Sequence, residues 1–121
     1  MNTPIHDTSD DTVVAIATAV GGAVAVLRMS GAASVSLADR VWCGSAALSE
    51  LAPRELHLGR FLDETGACMD HCLAVRFPQP RSYTGENMVE LHCHGGPLTA
   101  RTLLSRLLEA GARHAAPGEF T

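Results

Sequence analysis

The chain has 121 residues, a net charge of −4, 46% hydrophobic residues and 18% charged ones. That length suits one domain with a modest core, and the balance is that of a globular chain, not a disordered one. The negative charge argues against an electrostatic nucleic-acid binder, and no apolar run is long enough to span a bilayer as a helix. The start, MNTPIHDTSDD, is acidic and polar, the opposite of a secretory signal, so a cytoplasmic location is expected.

Residues 1–11 read as a loose acidic leader and residues 12–121 as the domain. Thr12 to Thr18 (TVVAIAT) is a β-branched apolar run that predicts a buried strand. Gly21 and Gly22 break it, and Ala23 to Met29 (AVAVLRM) predicts a second. Ser30 is placed to cap a following helix, in which Val35, Ala38, Val41 and Trp42 recur at helical spacing. Glu55–Phe61 and Cys72–Phe77 then predict two strands joined by DETGACMDH, whose Gly66 suits a turn. Pro78 and Pro80 stop the second of these.

A further strand is expected within Tyr83–Gly96 (YTGENMVELHCHGG), followed by the clearest helix of the chain. Pro97 fits a first helical position, and Ala100, Leu103, Leu104, Leu107 and Leu108 form an apolar stripe. Arg101, Ser105, Arg106 and Glu109 fall towards the other side, Gly111 is placed to end the helix, and APGEFT reads as loop. This order predicts an α+β domain, with helices packed on one face of a mixed or antiparallel sheet.

The chemistry-bearing residues sit on strands. Glu90, His92 and His94 share one parity while Val89, Leu91 and Cys93 take the other, so one face can pack and the other can meet a ligand. Arg28 lies within an otherwise apolar strand, where an unpaired charge is costly. It has two readings, an internal ion pair or a donor fork for a ligand carbonyl or carboxylate. Glu90 poses the same question with opposite sign: it pairs with Arg28 across the sheet, or accepts hydrogen bonds from a planar amino-heterocycle. His92 alone reads as a surface or hydrogen-bonded strand residue. The glycines after His94 favour a tight turn over an anion site.

No Gly-Lys-Ser/Thr follows Gly21-Gly22, so the chain carries no nucleotide P-loop, and no serine or cysteine has a nucleophile setting. Cys68, His71 and Cys72, with His92, Cys93 and His94, do not form a standard zinc spacing. Reduced, structural cysteines are expected, with neither metal nor disulfide.

Taken in order, DTVVAIAT, AVAVLRMSG, FPQPRSYTGENMVELHCHGGP and LLEAGARHAAPGEFT closely resemble the N-terminal domain of the MnmE (TrmE) family of tRNA-modification GTPases. The resemblance covers about residues 11–121 and is most specific in SYTGE…VELHCHGGP and PGEFT. It implies a two-layer, dimer-forming domain similar to the folate domain of aminomethyltransferases. That domain would bind a tetrahydrofolate derivative, 5-formyl- or 5,10-methylene-tetrahydrofolate. The family's folate-contacting arginine in the strand before Ser-Gly matches Arg28, and its folate-contacting glutamate in the Val-Glu-Leu strand matches Glu90.

Longer members act with the flavoprotein MnmG on the wobble uridine of tRNA, in 5-carboxymethylaminomethyl-type modification. Their GTP, Mg and K belong to a G domain that has no counterpart in these residues. The family continues past the position of Thr121 into a segment with a folate-contacting lysine. The chain is therefore expected to be a fragment, with a naturally split protein as the alternative, and to hydrolyse no GTP itself. It departs from the family in the loop AVGGA, which is one residue shorter than usual. Two other functions compete: a self-association domain in which Arg28 and Glu90 only neutralise each other, and a free-standing enzyme using His92 and His94.

Overall fold

The computed structural model describes residues 12–18, 24–82, 84–94 and 97–116. The expected leader, the Gly21-Gly22 break, the Gly95-Gly96 junction and the closing PGEFT lie outside these residues. Strands β1 (Val13–Ile16), β2 (Val24–Ser30), β3 (Trp42–Cys43), β4 (His57–Leu62), β5 (Cys68–Phe77), β6 (Met88–His94) and β7 (Arg113–His114) form one sheet, ordered β3-β4-β5-β6-β2-β1-β7. Every pairing is antiparallel except β1 with β7, so the sheet is mixed, one of the two arrangements the sequence predicts.

Strict alternation in the central strands sets the layering. Ala25, Leu27 and Met29 of β2 are buried, as are Leu91 and Cys93 of β6. These side chains share one cluster with Leu37, Ala38 and Val41 of helix α1 (Ser34–Val41) and with Ala100, Leu103 and Leu107 of helix α2 (Pro97–Ala110). Both helices thus pack on one face, and the other parity is left for the opposite face. Gly111, at φ +128°, closes α2: its amide and that of Ala112 donate to the carbonyls of Leu108 and Leu107.

Three expectations change. Ser30 does not cap α1. It ends β2 opposite Met88, and Ala33 takes the cap position without a side-chain cap bond. The start of α1 is tied instead by the Thr12 hydroxyl, which accepts from the Ala33 amide at 3.0 Å, and by Ser34, whose hydroxyl donates to the Gly31 carbonyl at 2.8 Å.

Trp42 leaves the helix for strand β3, opposite Phe61. Its indole N–H donates to the Cys72 carbonyl at 2.9 Å, so a partner on another strand overrides the helical spacing. Finally, β5 starts at Cys68, not Cys72, and the hairpin turn shrinks to residues 63–67. The first four residues of β5, Cys68 to His71, bury no side chain on either face, so no apolar alternation marks this extension in the sequence.

Arg106, placed by spacing on the outer side of α2, is half buried, and its guanidinium donates to the Leu62 carbonyl at 3.3 Å. Missed altogether were β3, β7 and a single 3-10 turn at Leu48–Glu50, all too short to leave a pattern.

Candidate functional site

The open face of the sheet is organised in rows that run across the strands. One row holds Ala15, Arg28, Glu90 and Val75, each opposite the next in register. Arg28 and Glu90 form its centre: Arg28 Nε donates to Glu90 Oε2 at 3.0 Å, and Nη2 lies 2.9 Å from the same oxygen. The other carboxylate oxygen, Oε1, accepts from His92 Nε2 at 3.0 Å. Arg28 and Glu90 side chains are 27% and 17% exposed, so the pair is partly desolvated yet reachable from solvent. Each oxygen serves one partner residue, and a carboxylate has about four lone-pair sites.

Two residues along, on the side of Glu90 towards the end of β6, the row is Val26, His92, Leu73 and Leu58. Beyond it come Val24 and His94, with His71 one position past the Cys72–Cys93 pair. His94 Nδ1 donates to the carboxylate of Asp70, 3.1 Å from both oxygens. Val24, Leu58, His71, Leu73, His92 and His94 line a depression of about 330 Å³. Its apolar side chains stay uncovered, with Leu58 66% and Val24 51% exposed.

The opposite end of the face is closed. Met88 and Val13 are buried there, and buried Ser30 hydrogen-bonds Thr84 Oγ1 at 2.7 Å and Glu86 Oε1 at 2.9 Å, tying the 82–87 segment to the end of β2. Arg28 and Glu90 therefore stand at the boundary between the covered and the open halves.

Two cysteines, Cys72 and Cys93, border the depression while packing with the core cluster. They lie opposite each other in register and are buried. Burial pushes the Cys72 thiol up to about 12, with Cys93 and Asp70 adding to the shift, and burial raises the Cys93 thiol as well. A protonated thiol is a poor nucleophile and a poor metal ligand. All four cysteines are free, and among the described residues no group of three or more His, Cys, Asp or Glu is arranged to hold a metal ion.

Arg28 and Glu90, singled out in the sequence as charges on strands, are thus brought together, and Glu90, His92 and His94 share the open face as their parity predicts. Sequence reasoning missed the depression. Leu58, Leu73 and His71 belong to strands whose neighbours are fixed only by strand order, which the sequence does not display.

The fold and site define an α+β domain with helices on one face of its sheet and, on the other, a half-buried Arg–Glu pair beside an uncovered apolar hollow. Residues 12–121 match the family described as GTP-binding protein TrmE N-terminus, and the chain belongs to that family. Proteins named tRNA modification GTPase MnmE are similar to it. That of Syntrophotalea carbinolica is 45% identical, over 93% of this chain and 25% of its own length. That of Methylibium petroleiphilum is 47% identical, over 92% of this chain and 26% of its own. That of Halorhodospira halophila is 46% identical, over 97% and 24%. The chain spans about a quarter of the length of these curated relatives. No described helix is long and apolar enough to cross a membrane.

Proposed function

We propose that this chain is the tetrahydrofolate-binding, dimer-forming part of a tRNA-modification GTPase that acts with MnmG on the tRNA wobble uridine, in 5-carboxymethylaminomethyl-type modification. The observation that carries this reading is the Arg28–Glu90 pair, half buried at the boundary between the covered and the open halves of the sheet face. A pterin presents an amino group beside a ring N–H, and a carboxylate accepts both in a charge-assisted pair. Glu90 keeps acceptor capacity after its bonds to Arg28 and His92, and those two donors hold it in one orientation before a ligand arrives. The ligand is a reduced folate such as 5-formyl- or 5,10-methylene-tetrahydrofolate. GTP, Mg and K are assigned to a G domain elsewhere in the parent protein, and the setting is the cytoplasm.

A specific observation also favours self-association without a ligand. Arg28 and Glu90 satisfy each other, and the exposed Val24 and Leu58 offer apolar area to a second copy. Thermal melting separates the two: 5-formyltetrahydrofolate raises the melting temperature in proportion to the logarithm of its concentration if the face is a folate site. No shift at millimolar ligand, with a dimer seen in sedimentation at tens of micromolar protein, supports self-association alone.

A further inference from the structure

We infer that Cys72 and Cys93 are a redox pair: hydrogen peroxide joins them into a cross-strand disulfide that latches β5 to β6 on the core face. The two residues lie directly opposite each other on neighbouring antiparallel strands. They are 2% and 3% exposed and packed in the core cluster. All four cysteines of the chain are free, so both are thiols. Opposed residues of an antiparallel pair are of two kinds, and the backbone polar groups decide which. The Arg76 carbonyl accepts, at 2.9 Å, from the amide of Arg54, which leads into β4. Peptide groups on a strand point the same way at every second residue, so those of Ala74 and Cys72 also turn to β4. Gly59, the β4 neighbour of Cys72, leaves room for the Trp42 indole, whose N–H reaches the Cys72 carbonyl from that side. On β6 the Asn87 carbonyl accepts from the Gly31 amide, just past the end of β2, at 2.9 Å. The peptide groups of Val89, Leu91 and Cys93 therefore turn to β2, and the two cysteines share no backbone hydrogen bond.

In such a non-hydrogen-bonded pair the Cα atoms stand about 4.5 Å apart and the side chains are at their closest. A disulfide spans Cα separations of roughly 4.4–6.8 Å, so the strands already hold the thiols within bonding reach. Access selects the oxidant. Both cysteines border the depression of about 330 Å³, and hydrogen peroxide is close to water in size, unlike a maleimide or a peptide disulfide. Burial keeps the thiols protonated, so the first step is slow and quickens as pH rises. In it one thiolate sulfur takes an oxygen from the peroxide as the O–O bond breaks, giving a sulfenic acid and, after protonation, water. The opposed thiol then attacks that sulfur, and the hydroxyl leaves with the thiol proton as a second water. The sulfurs lose two electrons in all, and the peroxide takes both. Val75 and Glu90, on the opposite parity of the same strands, are left as they are, so the latch stands apart from the reading of Arg28 and Glu90.

The test uses the folded chain carrying Cys43→Ser and Cys68→Ser, which leaves only the opposed pair. Millimolar hydrogen peroxide at about pH 9 consumes both thiols within a day. Trypsin then releases residues 61–76 and 82–101 as one cross-linked product, which dithiothreitol separates. The closed loop raises the melting temperature by about 10 °C, and reduction reverses the rise. Cys93→Ser added to the same chain gives neither the cross-link nor the rise. The rate is unchanged by urea well below the unfolding midpoint. A rate that climbs with the unfolded fraction overturns the inference, because the bond then forms in the unfolded chain. So do thiols that both survive the treatment, sulfinic acids or intermolecular disulfides as the products, or a disulfide that leaves the melting temperature unchanged.

Discussion

Arg28 and Glu90 lie directly opposite each other on β2 and β6, and the guanidinium places Nε and Nη2 on a single carboxylate oxygen. That one-sided geometry differs from the fork-to-fork arrangement in which an arginine takes both oxygens. It leaves Oε1 to His92, and so links the charged pair to the next row of the open face. The pair answers the cost of each buried charge while keeping Glu90 able to accept further hydrogen bonds.

The packing around Trp42 gives a prediction about stability. A Cβ at Gly59 falls 2.4 Å from Trp42 Cε2, and one at Gly44 falls 2.3 Å from Cη2. The indole cannot swing away without losing its bond to the Cys72 carbonyl. Gly59→Ala should therefore cost about 1–3 kcal/mol in denaturant unfolding and change the fluorescence of the single tryptophan. An unchanged midpoint and spectrum would show that the strand edge yields freely.

The cysteines should divide by burial. At pH 8 a thiol-specific reagent should modify exposed Cys68 rapidly and leave Cys72 and Cys93 untouched until the chain unfolds. With the Cys72 thiol at about 12 against an ordinary 9.0, its thiolate fraction falls roughly a thousandfold. The sign for stability follows: unfolded Cys72 releases its proton first, so the favourable contribution is complete below about pH 9 and is lost as pH rises towards 12. Four equally fast cysteines in the folded protein would contradict this.

Asp63 closes the β4–β5 hairpin. Its Oδ1 accepts from the Thr65 hydroxyl and from the amides of Thr65 and Ala67, which holds its carboxyl below the ordinary 3.8. A depressed carboxylate stabilises the turn above its unfolded pKa, and that contribution disappears as pH falls through the folded value. In an NMR pH titration the Asp63 midpoint should lie below 3.8, and Thr65→Val, which removes the first and largest of these bonds, should move it upward. A midpoint unmoved by the substitution would remove the hydroxyl as a cause.

Much of the site was legible because strands have a period of two. Val89, Leu91 and Cys93 had to face one way, so Glu90, His92 and His94 had to face the other. An arginine in an apolar strand announced its need for a partner, and Glu90 was one of the partners considered. Register and strand order were not legible, since nothing local to LGRFL or CLAVRF says which strand lies beside them. That hid the hollow, whose lining comes from β2, β4, β5 and β6. Trp42 and Ser30 misled for a different reason: each fits a local helical rule, and each is claimed by a contact distant in sequence, with Cys72 and with Thr84 and Glu86.

The central claim is that Glu90 is a ligand-binding group and not merely the counter-charge of Arg28, and calorimetric titration of 5-formyltetrahydrofolate tests it most directly. Glu90→Gln keeps the shape of the side chain and removes its charge and one acceptor. Breaking a charge-assisted contact to a buried ligand commonly costs about 2–5 kcal/mol, so affinity should fall by well over tenfold relative to the unsubstituted chain. Circular dichroism and melting would establish that the variant is folded. Binding by both proteins with the same affinity, in a folded variant, would contradict the account and leave Glu90 only its bonds to Arg28 and His92.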